Sequence, residues 1–129
     1  MYKELIISLL IIISIFILDY ITQKYTDYAI NDAIYDLKNL QQSLKEKKLD
    51  NEKVIKDTTE KYKKWLDYHE RLAFYIEHNE LEKVETNYVT GKSFIENAKY
   101  EDAMSEIEKT IFVLEHINEK YSINLANIF

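Results

Sequence analysis

The feature that most limits what this chain can become is its lack of chain breakers: 129 residues contain no proline and one glycine, Gly91. Turn-rich β architectures need residues that accept positive φ or interrupt a ladder, whereas helices joined by short turns need few. The expected fold class is therefore all-α. An N-terminal transmembrane helix should continue into an antiparallel three- or four-helix bundle. Cysteine is absent as well. That excludes disulfides, thiolate metal sites, thiol catalysis and a lipid anchor on cysteine.

From Leu5 to Leu18 every residue is apolar except Ser8 and Ser14. Fourteen helical residues reach about 21 Å, and the 17 through Ile21 reach about 26 Å, against roughly 30 Å of hydrocarbon. Three readings compete. A cleaved signal should end in a small-x-small pair, which Asp19-Tyr20-Ile21-Thr22-Gln23-Lys24 does not offer. A buried core helix, apolar all round, would need a larger protein wrapped about it. An uncleaved signal-anchor fits best, dividing the chain into an anchor at 1–21 and a helical domain at 22–129. Lys3 and the α-amine precede the run and Asp19 follows it. The positive-inside tendency then places the N-terminus in the cytoplasm and the rest outside a single-pass cell membrane.

Beyond the anchor, Tyr25, Tyr28, Ala29, Ala33, Ile34, Leu37, Leu40 and Leu44 recur at steps of three and four, one buried stripe. Nothing between Asp19 and Lys45 breaks a helix, so the anchor should run straight into this segment. Lys45-Glu46-Lys47-Lys48 ends it, and Leu49, Asp50 and Val54 read as a hydrophobic staple around an aspartate cap. The second helix would carry Val54, Thr58, Tyr62, Trp65, Leu66, Leu72, Ala73 and Ile76 inward. A third would start near Glu80 with Leu81, Val84, Tyr88, Gly91, Ile95 and Ala98. The break near His78-Asn79 has neither proline nor glycine, so one long bent helix is the alternative across residues 65–80. Asn97 to Asp102 reads as a turn. A last helix uses Ala103, Met104, Ile107, Ile111, Leu114 and Ile117, followed by a tail from Asn118 whose Ile123, Leu125, Ile128 and Phe129 dock on the bundle.

Residues 22–129 carry 16 basic and 21 acidic side chains. That balance argues against nucleic acid as a partner, since phosphate binding needs a positive surface. Charge is nonetheless uneven, net +4 over residues 38–64 and net −7 over residues 65–129. Solvated faces explain this, and a basic patch touching anionic head groups or wall polymers is the sharper reading.

Chemical motifs do not survive inspection. Thr90-Gly91-Lys92-Ser93 resembles the end of a phosphate loop, but the required upstream glycine is Thr86 and no strand precedes it. Gly91 is better read as a close helix–helix contact. His78, Glu82 and Glu85 would share one side of a helix and are the candidate metal ligands, yet no Glu-x-x-His or His-Glu-x-x-His pattern accompanies them. Trp65 and Tyr62, with Tyr68 and Tyr75, suit core or interface packing better than a ligand groove. No cofactor and no catalytic residue is expected.

The pattern resembles DUF4363, a family of small membrane-anchored bacterial proteins of unknown function. The likeness runs through Lys61-Tyr62-Lys63-Lys64-Trp65, Tyr75-Ile76-Glu77-His78-Asn79-Glu80-Leu81-Glu82-Lys83-Val84-Glu85 and Ala98-Lys99-Tyr100-Glu101-Asp102-Ala103. It ends in Leu114-Glu115-His116-Ile117 and Asn127-Ile128-Phe129, its most specific pieces. Leu114, His116, Ile128 and Phe129 join Trp65 and Tyr62 as interaction or packing candidates. Lys99 replaces the acidic or asparagine cap usual in the family. The resemblance implies a cell-envelope setting with a single membrane, and no reaction or ligand.

The expected role is a membrane-tethered module that binds an envelope protein or itself. The alternative is a sensor or small-ligand-binding bundle, which without a second span after Phe129 would signal through a membrane partner. A pilin-like subunit lacks its basic leader ending in glycine, and an enzyme is the least expected class.

Overall fold

The computed structural model describes the backbone of residues 1–126 and the side chains of residues 1–121. Four helices account for the described chain: α1 (Tyr2–Leu44), α2 (Asn51–Leu72), α3 (His78–Glu96) and α4 (Tyr100–Ala126). Each packs on its neighbours in order, and α4 closes the ring against α1, so α1 faces α3 and α2 faces α4 across the diagonals. This is an antiparallel four-helix arrangement, and among the described residues there is no strand. α1 is about 64 Å long at 1.5 Å per residue, and only the half from Thr22 to Leu44 belongs to the bundle.

Three connections reverse the chain, each by a different local device. α1 stops where four exposed charged residues follow Leu44, its last turn closed by Lys45 N–H donating to the Gln42 carbonyl at 3.2 Å. α2 opens on Asp50, whose carboxylate accepts from Lys53 N–H at 3.3 Å. Half-buried Leu49 and buried Val54 complete the staple expected there. Between α2 and α3 lies a true turn. Ala73 caps α2, Ile76 plugs the core, and Ile76 N–H returns to the Leu72 carbonyl at 2.9 Å. The single bent helix is therefore excluded, and α3 begins at His78, ahead of the expected Glu80.

The third reversal is a three-residue turn, because Tyr100, Glu101 and Asp102 already belong to α4. Ala98 adopts φ 57°. Lys99 N–H donates to the Phe94 carbonyl at 2.8 Å and Ala98 N–H to that of Ile95 at 3.0 Å. That pair of bonds is a Schellman motif, with alanine where glycine is usual. Ala98 consequently leaves the helical register expected of it and is exposed.

The core contains the expected stripes with a few exchanges. Ile30 and Tyr68 are buried, while Tyr28, Leu66 and Ala73 face outward. On α2, Trp65, Tyr68 and Leu72 form the inward row, so Leu66 and Ala73, each one residue on, rotate out by about 100°. Buried Thr26, Thr58 and Thr110 satisfy their hydroxyls on the carbonyls of Thr22, Val54 and Glu106. α4 runs on through Asn118 to Ala126 where a tail was expected.

Candidate functional site

The first half of α1 is the most unusual surface of the molecule. All twelve Leu, Ile and Phe side chains between Leu5 and Leu18 are exposed, from 45% at Ile13 to 69% at Leu5. The apolar window suited to crossing a membrane is 0% buried inside the protein. This removes the core-helix reading, since nothing in the bundle covers the segment. Soluble monomers rarely expose contiguous apolar patches beyond a few hundred Å². At about 0.3–0.6 kcal/mol each in favour of a bilayer centre, the twelve residues would gain about 4–7 kcal/mol from insertion.

Where α1 enters the bundle it meets α2 through a polar seam. Asp32 and Asp36, one turn apart on α1, both pair with Lys64 Nζ at 2.9 Å. Tyr68, one turn beyond Lys64, donates its hydroxyl to Asp32 Oδ2 at 2.6 Å. Tyr25 and Tyr28 set their rings edge-on to Tyr68 at 6.4 and 6.0 Å. The Tyr68 hydrogen bond, aided by Lys64, holds the Asp32 carboxyl below its ordinary range against the opposing effect of burial. The two carboxylates raise Lys64 in turn, so it stays charged. Burial, then the Asp32 bond, pushes the Tyr68 phenol upward. The seam continues toward α3, where Tyr62 and Tyr88 lie 5.2 Å apart and Tyr62 donates to Glu85 at 3.5 Å. Burial raises the Tyr88 phenol as well. Its chemistry is that of hydrogen-bonded phenols and an ion triad, which orient α2 on α1.

The structure separates the residues singled out from sequence. His78 and Glu82 approach to 3.8 Å on an exposed face, while Glu85 turns toward Tyr62. The expected three-residue face is thus split, and no group of three His, Asp or Glu fit to hold a metal occurs among the described residues. Trp65 is 1% exposed in the core, its ring 6.2 Å from that of His69, and its indole N–H meets no acceptor. Leu114 is fully buried. His116 is exposed and stands 3.9 Å from Glu80, which also pairs with Lys120 at 3.3 Å. Ile128 and Phe129 lie outside the described residues. Gly91 does sit where α3 and α4 come close, near Ala103, Glu106 and Ile107. Lys45, Lys47 and Lys48 are exposed at the α1–α2 turn, about 36 Å along the helix axis from Ile21.

Asp32 and Tyr68 were not singled out as partners from sequence. A signal existed: an Asp pair at i, i+4 on one helix faces a Lys and Tyr at i, i+4 on the next. Four residues keep each pair on one face, although spacing alone does not tell which face meets which.

The class of protein is thus an antiparallel helical bundle borne on an uncovered apolar helix. The chain belongs to the family described as Domain of unknown function (DUF4363), whose model matches residues 20–128. The match covers the bundle and begins beyond nearly all of the apolar segment. No curated protein and no solved structure matches the chain.

Proposed function

We propose that this protein is a single-pass membrane module of the bacterial cell envelope, with a cytoplasmic N-terminus and an extracytoplasmic bundle that binds another envelope protein or a second copy of itself. The observation that supports the reading is the contrast within α1. From Leu5 to Leu18 it is uncovered and, apart from two serines, apolar, while from Thr26 to Leu44 the same unbroken helix supplies a buried face to the bundle. A rigid continuation of this kind holds the bundle at the membrane surface. The reading assigns the protein no catalytic role and no cofactor.

The test is in-cell crosslinking of the tagged full-length protein, followed by solubilisation and mass spectrometry of what co-purifies. A stoichiometric protein partner or a crosslinked homo-oligomer is the expected result. Recovery of strictly monomeric protein without a partner would refute the interaction role.

A further inference from the structure

The turn between α2 and α3 lies at the end of the bundle from which the apolar half of α1 emerges. Tyr75 pins it there: its hydroxyl is 2.6 Å from Thr26 Oγ1 and donates to the Thr22 carbonyl at 3.2 Å. Thr22 and Thr26 stand about 1.5 and 7.5 Å above Ile21 along the helix axis. The polar layer on each side of a bilayer is about 5–8 Å deep, the difference between hydrocarbon and full thickness shared between two faces. If the apolar segment ends at Ile21, the turn falls at head-group depth.

The side chain beside Tyr75 suits that depth. Phe74 is 87% exposed, more than the other aromatic rings exposed on the bundle among the described residues, which include Phe112 and Tyr35. The large apolar side chains that follow it in the turn point elsewhere, since Ile76 fills the core and Tyr75 is half-buried against α1. Around it the charges are mixed. Arg71 lies over the Tyr25 ring at 6.0 Å and Lys24 over the Tyr20 ring at 5.7 Å, with Asp19, Asp67 and Glu70 near in sequence. Mixed charge gives no preference for anionic lipid, whereas a phenylalanine on an interfacial segment buries its ring at the headgroup–acyl boundary.

We propose that the α2–α3 turn is a second membrane contact, with Phe74 inserted among the head groups of the bilayer that holds α1. The bundle then sits on the membrane at two points and presents a fixed face outward. This rests on the reading of residues 5–21 as a membrane span, and the test separates the two.

The chain has no cysteine, so single sites can be spin-labelled without background. Three full-length variants, Ile12→Cys, Tyr35→Cys and Ala73→Cys, are reconstituted in phosphatidylcholine vesicles. Collisions of each label with oxygen, which prefers lipid, and with a water-soluble nickel chelate are then compared. The expected result is a lipid signature at position 12, an aqueous one at position 35 and an interfacial one at position 73. Adding Phe74→Ser to the Ala73→Cys variant should return that label to the aqueous signature. A lipid signature at 12 with an aqueous one at 73 would overturn the second contact while leaving the span intact. An aqueous signature at 12 would overturn the span and the contact with it. An interfacial signature at 73 that persists with Phe74→Ser would overturn the part assigned to Phe74.

Discussion

Replacing Ala98 with glycine should raise the stability of the bundle. Ala98 holds φ 57° at the end of α3, fixed by the bonds that Lys99 and Ala98 make back to Phe94 and Ile95. A left-handed conformation costs an L-residue about 1–2 kcal/mol, a cost glycine does not carry. Glycine loosens the unfolded chain, which returns about 0.4–1 kcal/mol. The net gain is about 0.5–1 kcal/mol, or about 2–8 °C in Tm for a domain of this size. The complementary substitution uses the chain's one glycine. A Cβ on Gly91 would meet Glu106 Cβ at 3.4 Å and Ile107 Cγ1 at 3.7 Å, ordinary contact distances, inside a regular helix. Alanine there should gain about 0.5–1 kcal/mol from helix propensity. Trp65, the only tryptophan and 1% exposed, reports opening of the bundle alone, so its emission during thermal unfolding of the full-length protein in detergent is the assay. A lower Tm for Ala98→Gly, or a higher one for Ala98→Val, would refute the left-handed assignment. The two gains should add within about 0.5 kcal/mol, since the sites lie about 10 Å apart along α3.

Leu114→Ala should cost about 2–5 kcal/mol in denaturant titrations followed by Trp65 emission, because Leu114 is fully buried where α4 meets the core. Tyr68→Phe should cost about 1–2 kcal/mol in the same assay, the worth of a charge-assisted bond discounted for the partial exposure of Asp32. Acid should weaken the seam. The folded state lowers the Asp32 pKa, so its contribution is complete above the ordinary aspartate value near pH 4 and fades as pH falls through the depressed value. Asp32→Asn should flatten that acid limb in Tm measured against pH. Ile12→Arg should cost about 3–4 kcal/mol of insertion, most of the gain available to the segment, and release the protein from membranes under alkaline extraction.

Much of this architecture is legible because helical periodicity marks inward faces directly: Leu37, Leu40 and Leu44 on α1, or Ile107, Leu114 and Ile117 on α4, follow from spacing alone. The Asp50 cap and its Leu49–Val54 staple are equally local and equally readable. What the pattern could not place were features set by tertiary contact. The α2–α3 turn has no glycine or proline because Ile76 in the core and Tyr75 on Thr26 hold it from outside the segment. The turn at Ala98 lacks its usual glycine, so nothing marked a left-handed residue there. The seam joins residues 36 positions apart, Asp32 to Tyr68, and periodicity carries no such pairing. Glu85 turns from the His78–Glu82 pair toward Tyr62 on α2 for a related reason: that tertiary contact is not encoded in spacing along α3.

The central claim is that α1 crosses a membrane and carries the bundle outside. Its most direct test is labelling of single-cysteine variants with a membrane-impermeant maleimide in intact and in lysed cells, with Lys3→Cys on one side of the apolar segment and Tyr35→Cys on the other. The account predicts that Tyr35→Cys reacts in intact cells, while Lys3→Cys reacts only after lysis and is retained in the mature protein. Reaction of both in intact cells, the reverse pattern, or loss of residue 3 by cleavage would contradict it.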